Sequence, residues 1–235
     1  RTFSSINELG YEKKLFNTES KLVTHNPNIE SVVFGNKVFI DKYGFRIPEK
    51  NYQYNESSKA NFLLLGDSVS FGVGVDEDKT FVGLIRKKYK NINFFNASVS
   101  GHNSLDHLKL IQKYYKSLKF NNVIIFFCLN DVVSMPGVVT KKENYKSNYF
   151  LSKINIFLRN KSYIYIFLKS KLTNPEKRYY DYITPLYEDK EIIKNMRKIF
   201  QEIKEFSINN KIQLKLIILP YAYQIKKNCI NNFLF

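Results

Sequence analysis

Four stretches of the chain are mostly apolar, with few polar interruptions: NFLLL (61–65), INFFNAS (92–98), NVIIFFCL (122–129) and IQLKLIILP (212–220). Short runs of this kind fit strands buried on both faces of a sheet. Helical patterns lie between them. DEDKTFVGLIRKKY (76–89) has acids before its start and bases at its end, as the helix dipole prefers. SLDHLKLIQKYYKSL (104–118) puts Leu105, Leu108, Ile111, Tyr115 and Leu118 on one helical face. EDKEIIKNMRKIFQEIKEFSINN (188–210) is a long amphipathic helix leading into the last run. Strand and helix alternating in this way predict right-handed βαβ units and a parallel sheet. The fold class is therefore α/β, three layers with a short parallel sheet, flavodoxin-like in outline.

Two regions depart from that rhythm. SVVFGNKVFIDKYGFRIP (31–48) reads as two short strands around a Gly35–Asn36 turn, with a second turn at Gly44. NYQYNESSKAN (51–61) reads as a surface linker. Residues 137–187 include LSKINIFLRNKSYIYIFLKSKL (151–172) and RYYDYITPLY (178–187), aromatic and basic throughout. A helical lid or insertion is the ordinary reading, and an amphipathic helix on a membrane surface is the alternative. The chain thus divides into an N-terminal lead at 1–50 with a β-hairpin and an α/β domain at 51–235. The insertion at about 137–187 belongs to that second domain. No internal repeat is apparent.

Composition adds little. A chain of 235 residues with 44% hydrophobic and 16% aromatic content can bury a full core. The net charge of +16 would suit a nucleic acid or an anionic membrane. The lysines, however, are scattered in pairs such as Lys87–Lys88 and Lys226–Lys227, and no reader motif accompanies them, so no nucleic-acid partner is expected. Cys128 and Cys229 make no disulfide framework, and Cys128 reads as a small buried hydrophobe. No uncharged stretch approaches a membrane span and no signal peptide is visible. The sequence opens on Arg1 and not Met, so an upstream segment carrying a leader or membrane anchor is expected.

In an open parallel sheet, ligands bind outside the carboxyl ends of the strands. The first run ends in Gly66, Asp67 and Ser68, and the second in Asn96, Ser98, Ser100, Gly101 and His102. The third ends in Asn130 and Asp131. Taken alone, Ser68 could be a nucleophile or a cap on the turn, and Asp67 and Asp131 could be turn residues. Gly72 and Gly74 lack the Gly-Lys-Ser/Thr of a phosphate loop. Ser70 stands where a nucleophile elbow would carry its second glycine.

The three strand ends together resemble the sequence blocks of the SGNH (GDSL-type) hydrolases, in a bacterial, envelope-associated branch. GDSVSFGVGV places Ser68 at the nucleophile position, Gly101 in NASVSGHNS is similar to the second-block glycine, and Asn130 in FFCLND to the third-block asparagine. The stretches DKYGFRIPEK (41–50), YYDYITPLYED and ILPYAYQ also resemble that branch. The resemblance implies a serine esterase acting on an O-acyl ester through an acyl-enzyme on Ser68. The Ser68 and Gly101 backbone N–H groups and the Asn130 amide would hold the oxyanion. It implies no metal and no cofactor, and an acyl ester of a lipid, glycan or other envelope component as substrate. Asp67 and His102 are expected to contact that substrate. The cell envelope is the expected location, with membrane association through an N-terminal anchor.

The base is the departure. The family draws a His, with an Asp three residues before it, from a C-terminal loop, whereas this chain has only His25, His102 and His107. His107 reads as a surface helix residue and His25 as part of a polar turn. The expectation is a sequence truncated at both ends, its catalytic Asp and His beyond Phe235, so that the fragment itself could be inactive. An O-acyltransferase on an envelope glycan, and a non-catalytic relative that binds an acylated glycan, remain the alternatives.

Overall fold

The computed structural model describes residues 10–132, isolated positions between 154 and 167, and 174–226. Most of the insertion expected at 137–187 lies outside the described residues. Two compact units are present, Arg1–Asp131 with Met196–Leu219, and Val132–Asn195 with Pro220–Phe235.

The first unit holds the sheet. β1 (Phe16–Asn17) and β2 (Thr24–His25) form a small antiparallel ribbon. β3 (Ile29–Val33) and β4 (Asn36–Ile40) form the hairpin expected around Gly35. β5 (Arg46–Ile47) follows the Gly44 turn. The four apolar runs become β6 (Ala60–Leu65), β7 (Ile92–Asn96), β8 (Asn122–Cys128) and β9 (Gln213–Leu219). All but β1 and β2 share one seven-stranded sheet, ordered β3-β4-β5-β7-β6-β8-β9. β7, β6, β8 and β9 are parallel to one another, and β5 joins β7 antiparallel through Arg46 opposite Asn96. The hairpin of the N-terminal lead is thus hydrogen-bonded into the same sheet as the α/β strands.

Helices cover both faces. α1 (Ser68–Phe71) is a single turn directly after β6. α2 (Phe81–Lys88) packs Val82 with Leu64, Phe94 and Phe126 on one face of the sheet. α3 (Ser104–Tyr115) and the part of α5 (Lys190–Asn209) beyond Met196 cover the other. There Tyr114 packs on Phe45 at 4.7 Å between ring centres, and Phe127 on Phe200 at 5.8 Å. The alternation along β6 explains the sorting: Leu64 faces α2, while the buried Leu63 and Leu65 face the opposite layer. Three layers around a short parallel core is the α/β architecture the apolar runs predict. β9 is the exception to full burial, because it forms the sheet edge and leaves Leu216, Ile217 and Ile218 largely exposed.

α3 is turned from the expected face. Leu108 and Ile111 are buried as predicted, but Tyr115 is exposed, and His107, Leu110 and Tyr114 go inward instead. The Tyr114 hydroxyl donates to the Tyr43 carbonyl at 2.8 Å, which lets a polar-tipped ring enter the core. α3 begins with a capping box: Asn103 Oδ1 accepts the Asp106 N–H at 3.2 Å and Asp106 Oδ2 accepts the Asn103 N–H at 3.3 Å. The stretch read as a surface linker is also tied down, since the Tyr54 hydroxyl donates to Asp41 Oδ2 at 2.9 Å.

In the second unit, α4 (Pro175–Ile183) starts at Asn174, whose side chain accepts from the Lys177 N–H at 2.9 Å. Tyr179 and Tyr180 pack against Tyr221 and Tyr223, the latter at the start of α6 (Ala222–Lys226). Among the described residues, no helix is long and apolar enough to cross a membrane.

Candidate active site

The strand order places β6 between β7 and β8, so the chain leaves β6 at the point where successive connections go to opposite sides. That is where an open α/β sheet forms its ligand crevice. Ser68 is the first residue of α1, and Asp67 is its cap, with Oδ1 accepting the Val69 N–H at 2.9 Å. Gly66 makes this turn possible, because a Cβ there would lie 2.0 Å from Ser70 Oγ and 3.1 Å from the Phe126 carbonyl. A larger residue there would have to displace Ser70 and crowd the β8 backbone.

The Asp67 cap engages the second N–H of the helix and leaves the first. Among the described residues, nothing accepts from the Ser68 N–H, and nothing bonds the partly buried Ser68 hydroxyl. The Gly101 N–H is likewise unengaged among the described residues. Gly101 is exposed with φ at 86°, the left-handed region that favours glycine. Its loop runs beside the β6 exit: the Val99 N–H donates to the Gly66 carbonyl at 3.1 Å, and the Ala97 N–H to the Leu64 carbonyl at 2.9 Å. Asn130 arrives from the other side, in the 3-10 turn Leu129–Val132 that follows β8, and its Nδ2 donates to Asp67 Oδ2 at 3.0 Å.

Asp67 and His102 do not stand where a substrate contact would. Asp67 is 2% exposed and accepts from the Val69 N–H, the Asn130 amide and, at 3.5 Å, the Cys128 thiol. His102 is buried with Nε2 against the Val23 carbonyl at 2.7 Å, turned toward the N-terminal lead. Burial lowers its pKa. His107 is no surface residue: it is fully buried, and burial pushes its pKa down to about 3. Its ring faces the Gly66 carbonyl without closing a regular hydrogen bond. His25 is not in an open polar turn but buried in β2, held by the Gly44 carbonyl at 3.2 Å and also pushed down to about 3 by burial. All three imidazoles of the chain are therefore neutral core groups, none bonded to Ser68.

Sequence reasoning passed over Arg46 and read Asp131 only as a turn residue. Arg46 is buried, and its guanidinium donates to the carbonyls of Phe71, Gly72 and Val75 at 2.6, 2.7 and 2.6 Å. It thereby holds the chain that leaves α1. Burial lowers its pKa to about 10, which still leaves it cationic at neutral pH. Its signal was the DKYGFRIP stretch, in which Asp41 folds the turn by accepting from the Tyr43 and Phe45 N–H groups at 2.8 and 2.9 Å. Asp131 is fully buried, with Oδ2 accepting the Cys128 N–H at 3.1 Å and Oδ1 unpartnered among the described residues. Burial, and next the charge of Asp67, raise its pKa well above the usual carboxylate range. Burial raises the Cys128 thiol as well, so it is no thiolate nucleophile.

Among the described residues, no cluster of three His, Cys, Asp or Glu side chains could hold a metal ion. A groove of about 430 Å³ runs along α5, lined by Phe200, Gln201, Lys204, Glu205 and Ile208, and shares no residue with the strand-end site.

Comparison with known proteins gives a faint outline. No protein-family model and no curated protein matches the chain. Among solved structures, the chain is similar to TesA at 29% identity and a TM-score of 0.29, over 31% of this chain and 42% of TesA. It is similar to a member of the lipolytic protein G-D-S-L family from Veillonella parvula DSM 2008 at 14% identity and a TM-score of 0.34, over 75% of this chain and 86% of that one. It is similar to a mutant of the esterase AlinE4 at 16% identity and a TM-score of 0.34, over 77% of this chain and all of that one. Likeness at this level defines neither a site nor a substrate.

Proposed function

We propose that the chain carries the nucleophile and oxyanion-binding parts of a serine esterase of the SGNH type, acting on an O-acyl ester. What carries the reading is the pair of backbone N–H groups unengaged among the described residues, on Ser68 and on Gly101 in the loops after the adjoining strands β6 and β7, with the Asn130 amide held against Asp67 next to Ser68. Ser68 Oγ attacks the acyl carbonyl and gives its proton to a base. The carbonyl oxygen becomes an oxyanion, and collapse of the tetrahedral adduct expels the alcohol and leaves an acyl-serine. Water then attacks that ester and frees the acid. Each donor to the oxyanion is worth roughly a hundredfold in rate.

The base is not one of the three histidines, all of which are buried and unbonded to Ser68. That same observation favours a second reading, a non-catalytic relative that uses the crevice to hold an acylated glycan. If a sugar hydroxyl and not water resolves the acyl-serine, the protein is an O-acyltransferase. Hydrolysis of p-nitrophenyl acetate and butyrate, measured beside Ser68→Ala, separates these readings. Turnover lost in the variant supports the esterase. Turnover unchanged in the variant removes Ser68 from the chemistry.

A further inference from the structure

We infer that Asp67 is a positioning residue for the reaction proposed above, setting the nucleophile turn with one carboxylate oxygen and the oxyanion donor Asn130 with the other. The inference rests on the esterase reading for its purpose, but the contacts that carry it do not.

Three features single Asp67 out. Its carboxylate is 2% exposed, so it is held for what it does inside the protein and not for contact with a ligand. Oδ1 caps α1 at the Val69 N–H, which satisfies the second donor of the turn and leaves the Ser68 N–H without an acceptor among the described residues. Oδ2 accepts from Asn130 Nδ2 at 3.0 Å.

The last contact fixes an orientation. A carboxamide has a donating end and an accepting end, similar in size, and a small rotation exchanges them. A carboxylate only accepts, so the amide must turn its nitrogen toward Asp67. The carbonyl end, which would repel an oxyanion, is directed elsewhere. A hydrogen bond to an ionised acceptor is also about twice as strong as one between neutral groups. Replacing Asp67 by asparagine keeps the size and a capping oxygen, and removes this demand on the orientation of Asn130.

Asp67 is not itself the base. Both oxygens are occupied by donors, and no hydrogen bond joins it to Ser68 Oγ. Cys128 contributes only a weak thiol donor on the same oxygen as Val69.

The test reads Asn130 directly. In ¹⁵N-labelled wild-type protein, the Asn130 side-chain amide pair, assigned by its loss in Asn130→Ala, should show one proton shifted downfield and slow to exchange with water. In Asp67→Asn the pair should move to ordinary, fast-exchanging positions while the β8 backbone amides keep their shifts. A pair already ordinary in the wild type overturns the inference even if the variant fails to fold, and so does a pair unmoved by Asp67→Asn. This readout needs no turnover. Where Ser68-dependent hydrolysis is present, Asp67→Asn should lower kcat about a hundredfold with KM little changed. The double variant with Asn130→Ala should then be no slower than Asn130→Ala alone. Losses that simply multiply overturn the inference. Absent Ser68-dependent hydrolysis counts against the esterase reading and leaves the amide result to stand by itself.

Discussion

Arg46 and Gly72 lie 26 residues apart in the chain, yet the Arg46 guanidinium donates to the Gly72 carbonyl at 2.7 Å. The same group also holds Phe71 and Val75, so a residue of the short strand β5, between β4 and β7, fixes the far end of the turn that presents Ser68. Replacing it with methionine takes a charged donor from three carbonyls, of which, among the described residues, only Gly72 keeps another donor, the Val75 N–H, and should cost about 3 kcal/mol, read from the urea midpoint. Arg46→Lys should recover only a minor part, because a point ammonium cannot span three acceptors. A methionine variant within about 0.5 kcal/mol of wild type would remove Arg46 from the framework of the site.

Two buried imidazoles make the fold sensitive to mild acid. His25 and His107 are each pushed by burial from the usual 6.5 to about 3. Below pH 6.5 the unfolded chain takes up protons that the folded chain refuses until about pH 3, so these groups stabilise the fold above that window and the contribution is lost as pH falls through it. Denaturant midpoints at pH 7.5 and 4.5 should differ less in His107→Leu than in the wild type. An equal difference in both proteins would show that His107 does not titrate in this way.

Asp131 has the opposite sign. Its raised pKa means that the folded protein prefers the neutral acid, so the cost appears as pH rises above the ordinary carboxylate value of 3.8 and is absent below it. Asp131→Asn is a neutral isostere that keeps an acceptor for the Cys128 N–H. It should stabilise the protein by about 1 kcal/mol or more at pH 8, with a gain that shrinks toward pH 4. A variant that is less stable at both pH values would show that the unpartnered oxygen is served by an interaction specific to the acid.

Much of this framework was legible in the chain, for a physical reason. Strands buried on both faces advertise themselves as mostly apolar runs; Gly66 and Asn130 each sit one step beyond such a run, and Gly101 three steps beyond another. What was not legible depends on neighbours distant in sequence. His107 resembles a surface residue until Tyr114 and Leu110 are seen to share its buried face, and Asp67 resembles a turn residue or a ligand contact until Asn130 is brought to its second oxygen. Arg46 carries no sign of its burial beyond the DKYGFRIP stretch in which it stands. Its place follows from three carbonyls that the fold brings together around it.

The most direct test of the Ser68 assignment is covalent. The protein would be incubated with an alkyl fluorophosphonate, whose phosphorus mimics the tetrahedral acyl centre, and the adduct located by mass spectrometry of the peptides. A single adduct on Ser68, absent in Ser68→Ala and weakened in Asn130→Ala, is the expected result. An unlabelled protein, or a label carried elsewhere, would contradict a nucleophilic Ser68.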